Sequence, residues 1–224
     1  MSEYQEFRVA YEFTSAILCF IIVWFMIKPY RFTREGRYLG LPLAFGLLGA
    51  SYFFSALAYT APSFLPDNIL WSQLITRSFA FLFLAMSYYF SKKPAKIGQH
   101  LRNITLSLFV FVMVTSILAV VFMPQFNFDT YRAASGYVRF FIIFCLIYVI
   151  IHVLRSHMAK PDPTTLMIPL GYILLAISQY SLIIWATDGS MFAWWGALAL
   201  RWGGLAVFLF VAYITFYGSK KKAN

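Results

Sequence analysis

The sequence predicts an all-α membrane protein of seven transmembrane helices, and three observations carry that expectation. Hydrophobic side chains make up 61% of the 224 residues and charged ones only 12%, against about 45–50% and 25% in soluble domains. The apolar residues gather into seven runs, each near the length of about 20 residues that a helix needs to cross the hydrocarbon core. None of the runs shows the roughly 10-residue alternation of a membrane barrel strand, and a backbone in lipid must otherwise close its hydrogen bonds within a helix.

The spans are expected near 9–27, 38–60, 70–90, 104–123, 135–154, 166–187 and 191–217. The first follows Glu3, Glu6 and Arg8 rather than a basic segment, and no small-residue cleavage site comes after it, so it is expected to be retained. The second and sixth each carry a proline near the cytoplasmic entry, Pro42 and Pro169, where a helix start or kink tolerates the missing N–H. The seventh carries Trp194, Trp195 and Gly196, then Arg201-Trp202-Gly203-Gly204, with the glycines expected to permit close helix approach. The whole chain reads as a single domain over 1–224, with no length left for a soluble kinase, nuclease or ATPase module. Cys19 and Cys145 both lie in apolar runs and read as small hydrophobes.

Orientation follows from the basic residues, because cytoplasmic loops accumulate them. Lys28, Arg31, Arg34, Arg37, Lys92, Lys93, Lys96, Arg102, Arg155, Lys160, Lys220, Lys221 and Lys222 all fall on one side. The other side has only Arg8 and Arg132, with Glu3, Glu6, Asp67, Asp129 and Asp188. An outer N-terminus and a cytoplasmic C-terminus in the cell membrane are therefore expected. The net charge of +10 then reports topology and contact with membrane lipids rather than a nucleic-acid partner. The acceptor-like Asn103-Ile104-Thr105 falls on the cytoplasmic side, where it is not glycosylated.

At an offset of 127, Pro42, Leu43, Leu47, Leu48 and Ser51 of span two coincide with Pro169, Leu170, Leu174, Leu175 and Ser178 of span six. With a small gap, Arg77 then aligns with Arg201, and both helices end in Ser-Lys-Lys at Ser91 and Ser219. The expectation is a parallel three-helix repeat: unit A about 9–90, a linker helix about 104–123 and unit B about 135–217. This plan resembles the three-plus-one-plus-three architecture of SWEET-type transporters and, in topology and size, microbial rhodopsins. Rhodopsins hold retinal on a mid-helix lysine of the last span. Here that cation is Arg201 and every lysine lies in a loop or tail, so no amine is placed to form a Schiff base.

Glu12, Arg77, Arg139 and Arg201 are the ionisable residues inside the spans. A central arginine costs at least about 2.5–3.5 kcal/mol to insert, so such residues face the bundle interior and find partners. At about 1.5 Å per residue from the outer end, Arg139 lies about 6 Å deep, Arg77 about 10 Å and Arg201 about 15 Å. One acid against three arginines predicts an outward-facing cationic and aromatic pocket for a small anionic or polar ligand. Arg77, Arg201, Trp194, Gln73, Gln179 and Ser178 are the candidate ligand-binding residues, with Glu12 and Arg139 assigned to structural ion pairing or snorkelling. Aromatic residues reach 21%, more than interfacial belts at Tyr4, Tyr30, Tyr38, Trp71, Tyr131 and Tyr217 require.

No metalloprotease or Cys-x-x-Cys pattern, phosphate loop or serine-nucleophile motif occurs, and the histidines His100, His152 and His157 are not placed to sandwich a haem in the membrane. The expectation is a non-enzymatic protein without metal or cofactor, acting as a receptor-like or sensory module. The alternatives are a small-solute transporter and a structural subunit whose arginines pair with a membrane-protein partner.

Overall fold

Each apolar run becomes a helix because lipid offers its backbone no other hydrogen-bond partner. The computed structural model describes residues 2–28, 40–60, 68–91, 95–122, 128–159 and 163–217. Among these are seven helices: α1 (Ser2–Met26), α2 (Gly40–Thr60), α3 (Asn68–Ser91), α4 (Ala95–Phe122), α5 (Phe128–Ala159), α6 (Pro163–Asp188) and α7 (Met191–Tyr217). All seven are long and apolar enough to cross a membrane, which makes the chain an integral multi-pass membrane protein. Hydroxyl side chains are stored by bonding back one turn, as Thr14 does to the carbonyl of Ala10, Thr76 to Ser72 and Ser87 to Phe83.

The helices are longer than the hydropathy runs that announce them. α1 starts at Ser2 rather than near residue 9, α4 at Ala95 rather than 104, and α5 covers Phe128–Ala159 rather than 135–154. Hydropathy registers only what lies in hydrocarbon, about 20 residues, whereas the 32 residues of α5 span about 48 Å at 1.5 Å each. Arg31, Arg34, Arg37, Lys92, Lys93, Lys160 and the lysines from 220 to 222, on which much of the charge asymmetry rests, lie outside the described residues, as does Asp67.

Six helices close a ring. α1 packs on α2, α2 on α3, α3 on α5, α5 on α6, α6 on α7, and α7 returns to α1, while α4 leans on the outside of α3. The lipid-facing surface is strongly apolar, with Phe111, Phe122, Phe144 and Phe192 all exposed. Inside the ring the two halves differ. Away from the N-terminal end of α1, Ile22, Phe45, Phe81, Phe83, Leu146, Tyr172, Leu205 and Phe208 form a continuous apolar core. Toward that end the interior is polar, with Glu12, Ser55, Gln73, Arg77, Gln179 and Arg201 all buried.

The turn between α6 and α7 is two residues long, Gly189 and Ser190. Gly189 adopts φ +68° and donates its N–H to the carbonyl of Trp185 at 3.0 Å, closing α6 in the left-handed conformation that glycine adopts without penalty. Ser190 caps α7, its hydroxyl accepting the N–H of Ala193 at 3.4 Å. Of the three glycines expected to bring helices together, only Gly204 is needed for it. A Cβ there would sit 3.0 Å from the carbonyl oxygen of Gly171, whereas Gly196 faces open space and Gly203 makes an ordinary contact with Leu174. Gly204→Ala is therefore expected to lower stability by about 1–3 kcal/mol by forcing α6 and α7 apart. Gly196→Ala should leave stability unchanged or slightly raised, and thermal unfolding in detergent compares the two.

Candidate functional site

The polar interior begins with a stripe on α1, where Arg8, Glu12 and Ser15 recur at helical spacing and share one face. Glu12 is 5% exposed and Arg201 2%, and Nη1 of Arg201 donates to Oε1 of Glu12 at 3.0 Å. The carboxylate partner of Arg201 is thus on the opposite end of the chain, where α7 closes the ring against α1. That seam is held by three further contacts. The hydroxyl of Tyr11 donates to the carbonyl of Leu198 at 2.6 Å, the indole N–H of Trp202 donates to Ser15 Oγ at 3.1 Å, and the rings of Tyr11 and Trp202 stack with centroids 4.9 Å apart.

Arg77 arrives from α3. Its Nε donates to Ser51 Oγ on α2 at 3.0 Å, and its guanidinium carbon lies 5.0 Å from the ring centre of Tyr52. Arg201 lies 4.9 Å from the centre of that same ring and 5.3 Å from that of Tyr11. Tyr52, 1% exposed, therefore offers one electron-rich ring to two guanidinium groups, an arrangement that partly offsets the cost of holding two like charges so close. Tyr52→Leu is expected to cost about 2 kcal/mol of stability through loss of this platform, while Tyr52→Phe keeps the ring and should cost much less. Unfolding midpoints of the two variants in detergent separate these outcomes.

The remaining predicted residues divide. Gln73, Gln179 and Trp194 line the same cavity as Arg77 and Arg201. Ser178 is fully buried but outside that wall, because its hydroxyl donates to the carbonyl of Ala197 at 2.8 Å and joins α6 to α7. Arg139 turns inward rather than reaching for the surface: it is on the cavity wall and donates to the carbonyl of Leu182. It makes no ion pair with Glu12, whose partner is Arg201. Arg132 bonds α5 to α6 in a similar way, donating to the carbonyl of Ala186 at 2.7 Å.

The cavity is walled by all six ring helices. The volume open to the centre of a water molecule is about 40 Å³. At about 10–15 Å³ of such volume per water, it holds about three waters or one small solute. Arg8, Arg77, Arg139 and Arg201 supply four guanidinium groups to the wall and Glu12 one carboxylate, so the chamber carries a clear positive excess. The wall also includes Arg8, stacked 3.9 Å over the ring of Tyr59, together with Tyr131 and Trp185. Among the described residues, several buried polar atoms of the wall residues have no hydrogen-bond partner: Nη2 of Arg77, Nε of Arg201, Oε2 of Glu12, and the carboxamide oxygens of Gln73 and Gln179. In a low-dielectric interior each of these is costly unless something meets it.

Tyr52, Ser51 and Arg8 are not among the site residues expected from the sequence, Ser51 having entered only as a repeat position and Arg8 only as a topology marker. Arg8 was legible as the first member of the α1 stripe had the helix been extended past the hydropathy run. Ser51 and Tyr52 carried a subtler signal, since the offset of 127 places this polar pair on Ser178 and Gln179.

No protein-family model matches the chain, and no curated protein or solved structure matches it either. The seven-span bundle is therefore established without an identified family.

Proposed function

We propose that this membrane protein is a non-enzymatic binder of a small anionic solute, taken into the cationic chamber from the outer face of the cell membrane, and that it works as a receptor-like module. The observation that carries this reading is Arg77. It lines the cavity, and among the described residues it is in direct contact with no carboxylate, Glu12 being bonded to Arg201 instead, and its Nη2 is buried without a hydrogen-bond partner. A guanidinium held this way is preorganised for an oxyanion, since the protein has already met the cost of fixing it. Below the chamber the ring of Phe208 packs against those of Phe45 and Tyr172, with centroids 5.3 and 4.6 Å apart. That plug favours binding over open passage.

The proposed orientation puts the chamber end outside, as the charge asymmetry requires. Ser190→Cys, at the chamber end, should react with a membrane-impermeant maleimide on intact cells, and His157→Cys only after permeabilisation. The reverse pattern would invert the assignment.

Transport is the second reading, favoured by the order of helices around the ring. The ring runs in chain order, with α1, α2 and α3 forming one consecutive arc and α5, α6 and α7 the other, and α4 outside. Two parallel three-helix units about an axis along the membrane normal would be arranged this way, and sites in such proteins lie between the two units. The positions paired by the repeat support it: Ser51 and Ser178 each bond into the following helix, and Arg77 and Arg201 share Tyr52. Reconstituted vesicles decide between the readings. Saturable anion binding without flux supports reception, flux lost in Arg77→Gln supports transport, and neither binding nor flux removes both.

A further inference from the structure

We infer that the anion suited to this chamber carries its own hydroxyl, being a small hydrogen-oxyanion of the bicarbonate type. This rests on the anion-binding reading above and narrows it. The unpartnered atoms on the wall are of two kinds. Nη2 of Arg77 and Nε of Arg201 are donors, whereas Oε2 of Glu12 can only accept while the carboxylate is ionised. Both kinds lie around the ring of Tyr52, whose own buried hydroxyl also lacks a partner among the described residues: Arg77 and Arg201 are 5.0 and 4.9 Å from its centre, and Glu12 is bonded to Arg201 at 3.0 Å.

Nitrate, formate or a halide would satisfy the donors but set its lone pairs against those of Glu12. A cation would satisfy the carboxylate but meet the surplus of arginines. An anion with one O–H answers both, its charge toward Arg77 and its hydroxyl donated to Glu12. The carboxamides of Gln73 and Gln179 present acceptor oxygens to the same space and can rotate to present N–H instead, so they adjust to whichever edge faces them. Size points the same way. A cavity of about 40 Å³ has room for about three waters, each with a liquid volume of about 30 Å³. An anion of about four heavy atoms such as bicarbonate fits that space, and a sugar does not.

The test is calorimetric titration of the purified full chain with sodium bicarbonate, sodium formate and sodium nitrate, in a sealed cell at a mildly alkaline pH where bicarbonate predominates. Bicarbonate is expected to bind about tenfold or more tightly than the other two, the worth of one hydrogen bond to a charged acceptor. In Glu12→Gln the preference should shrink to about twofold, chiefly through tighter formate and nitrate binding. The wild-type series decides even if that variant does not fold. Formate or nitrate binding as tightly as bicarbonate would overturn the hydrogen-oxyanion inference and leave anion binding standing. A chamber occupied by water alone, with none of the three salts binding saturably, would overturn both. A preference unchanged in a folded Glu12→Gln protein would overturn the part assigned to Glu12.

Discussion

Arg201→Leu is expected to destabilise the protein by about 3–5 kcal/mol, the cost of breaking a buried ion pair from one side. The leucine itself would be at home in the bundle. What it leaves behind is Glu12, a carboxylate 5% exposed whose Oε2 already lacks a partner and whose Oε1 would then lose Arg201. Glu12→Leu should be comparably damaging, stranding a guanidinium that is 2% exposed and leaving it the rings of Tyr11 and Tyr52. The double variant should lose much less than the sum, because removing both ends removes the charge that could not be solvated. Unfolding by denaturing detergent in mixed micelles measures all three. Single variants within about 1 kcal/mol of the parent would show that this pair does not carry the buried charge described.

Arg77→Gln is expected to act on binding more than on stability. Its guanidinium holds Ser51 and rests on Tyr52, and among the described residues it is bonded to no carboxylate, since Glu12 keeps Arg201 as its direct partner. The Ser51 hydroxyl can bond back to its own helix, as Thr14 and Thr76 already do. The loss of a charged donor facing the chamber should weaken small-anion affinity by about one to two orders of magnitude, the worth of a charge-assisted hydrogen bond. Arg77→Lys should recover only part, since an ammonium restores the charge without the planar fork. Calorimetry on the three proteins gives the ranking, and equal affinity in all of them would move the binding role away from Arg77.

Seven spans were legible because the bilayer demands about 20 apolar residues from each, a signal that no tertiary detail alters. Glu12, Arg77 and Arg201 were legible for the converse reason: a charge in hydrocarbon is too costly to be incidental. Which arginine takes Glu12 was not, since that depends on how α7 is rotated against α1, and sequence spacing within one helix says nothing of rotation between helices. Arg139 illustrates the limit of depth as evidence. Its short distance from the helix end suggested snorkelling, but α5 continues back to Phe128 and the carbonyl of Leu182 lies within reach, so the side chain turns inward. Ser178 failed in the opposite way. A buried serine looks available in sequence, yet the carbonyl of Ala197 uses its hydroxyl. Tyr52 was hidden among 15 tyrosines, and only its place between two guanidinium groups distinguishes it.

An anion received in the chamber at Arg77 can be located directly. Hydrogen selenite is a small hydrogen-oxyanion whose selenium scatters anomalously, so it marks the site in soaked crystals of the full chain. One anomalous peak is expected inside the ring, within hydrogen-bonding reach of Arg77 and on the Glu12 side of Tyr52. Peaks confined to the protein surface at saturating selenite, with the chamber showing no anomalous signal, would contradict it.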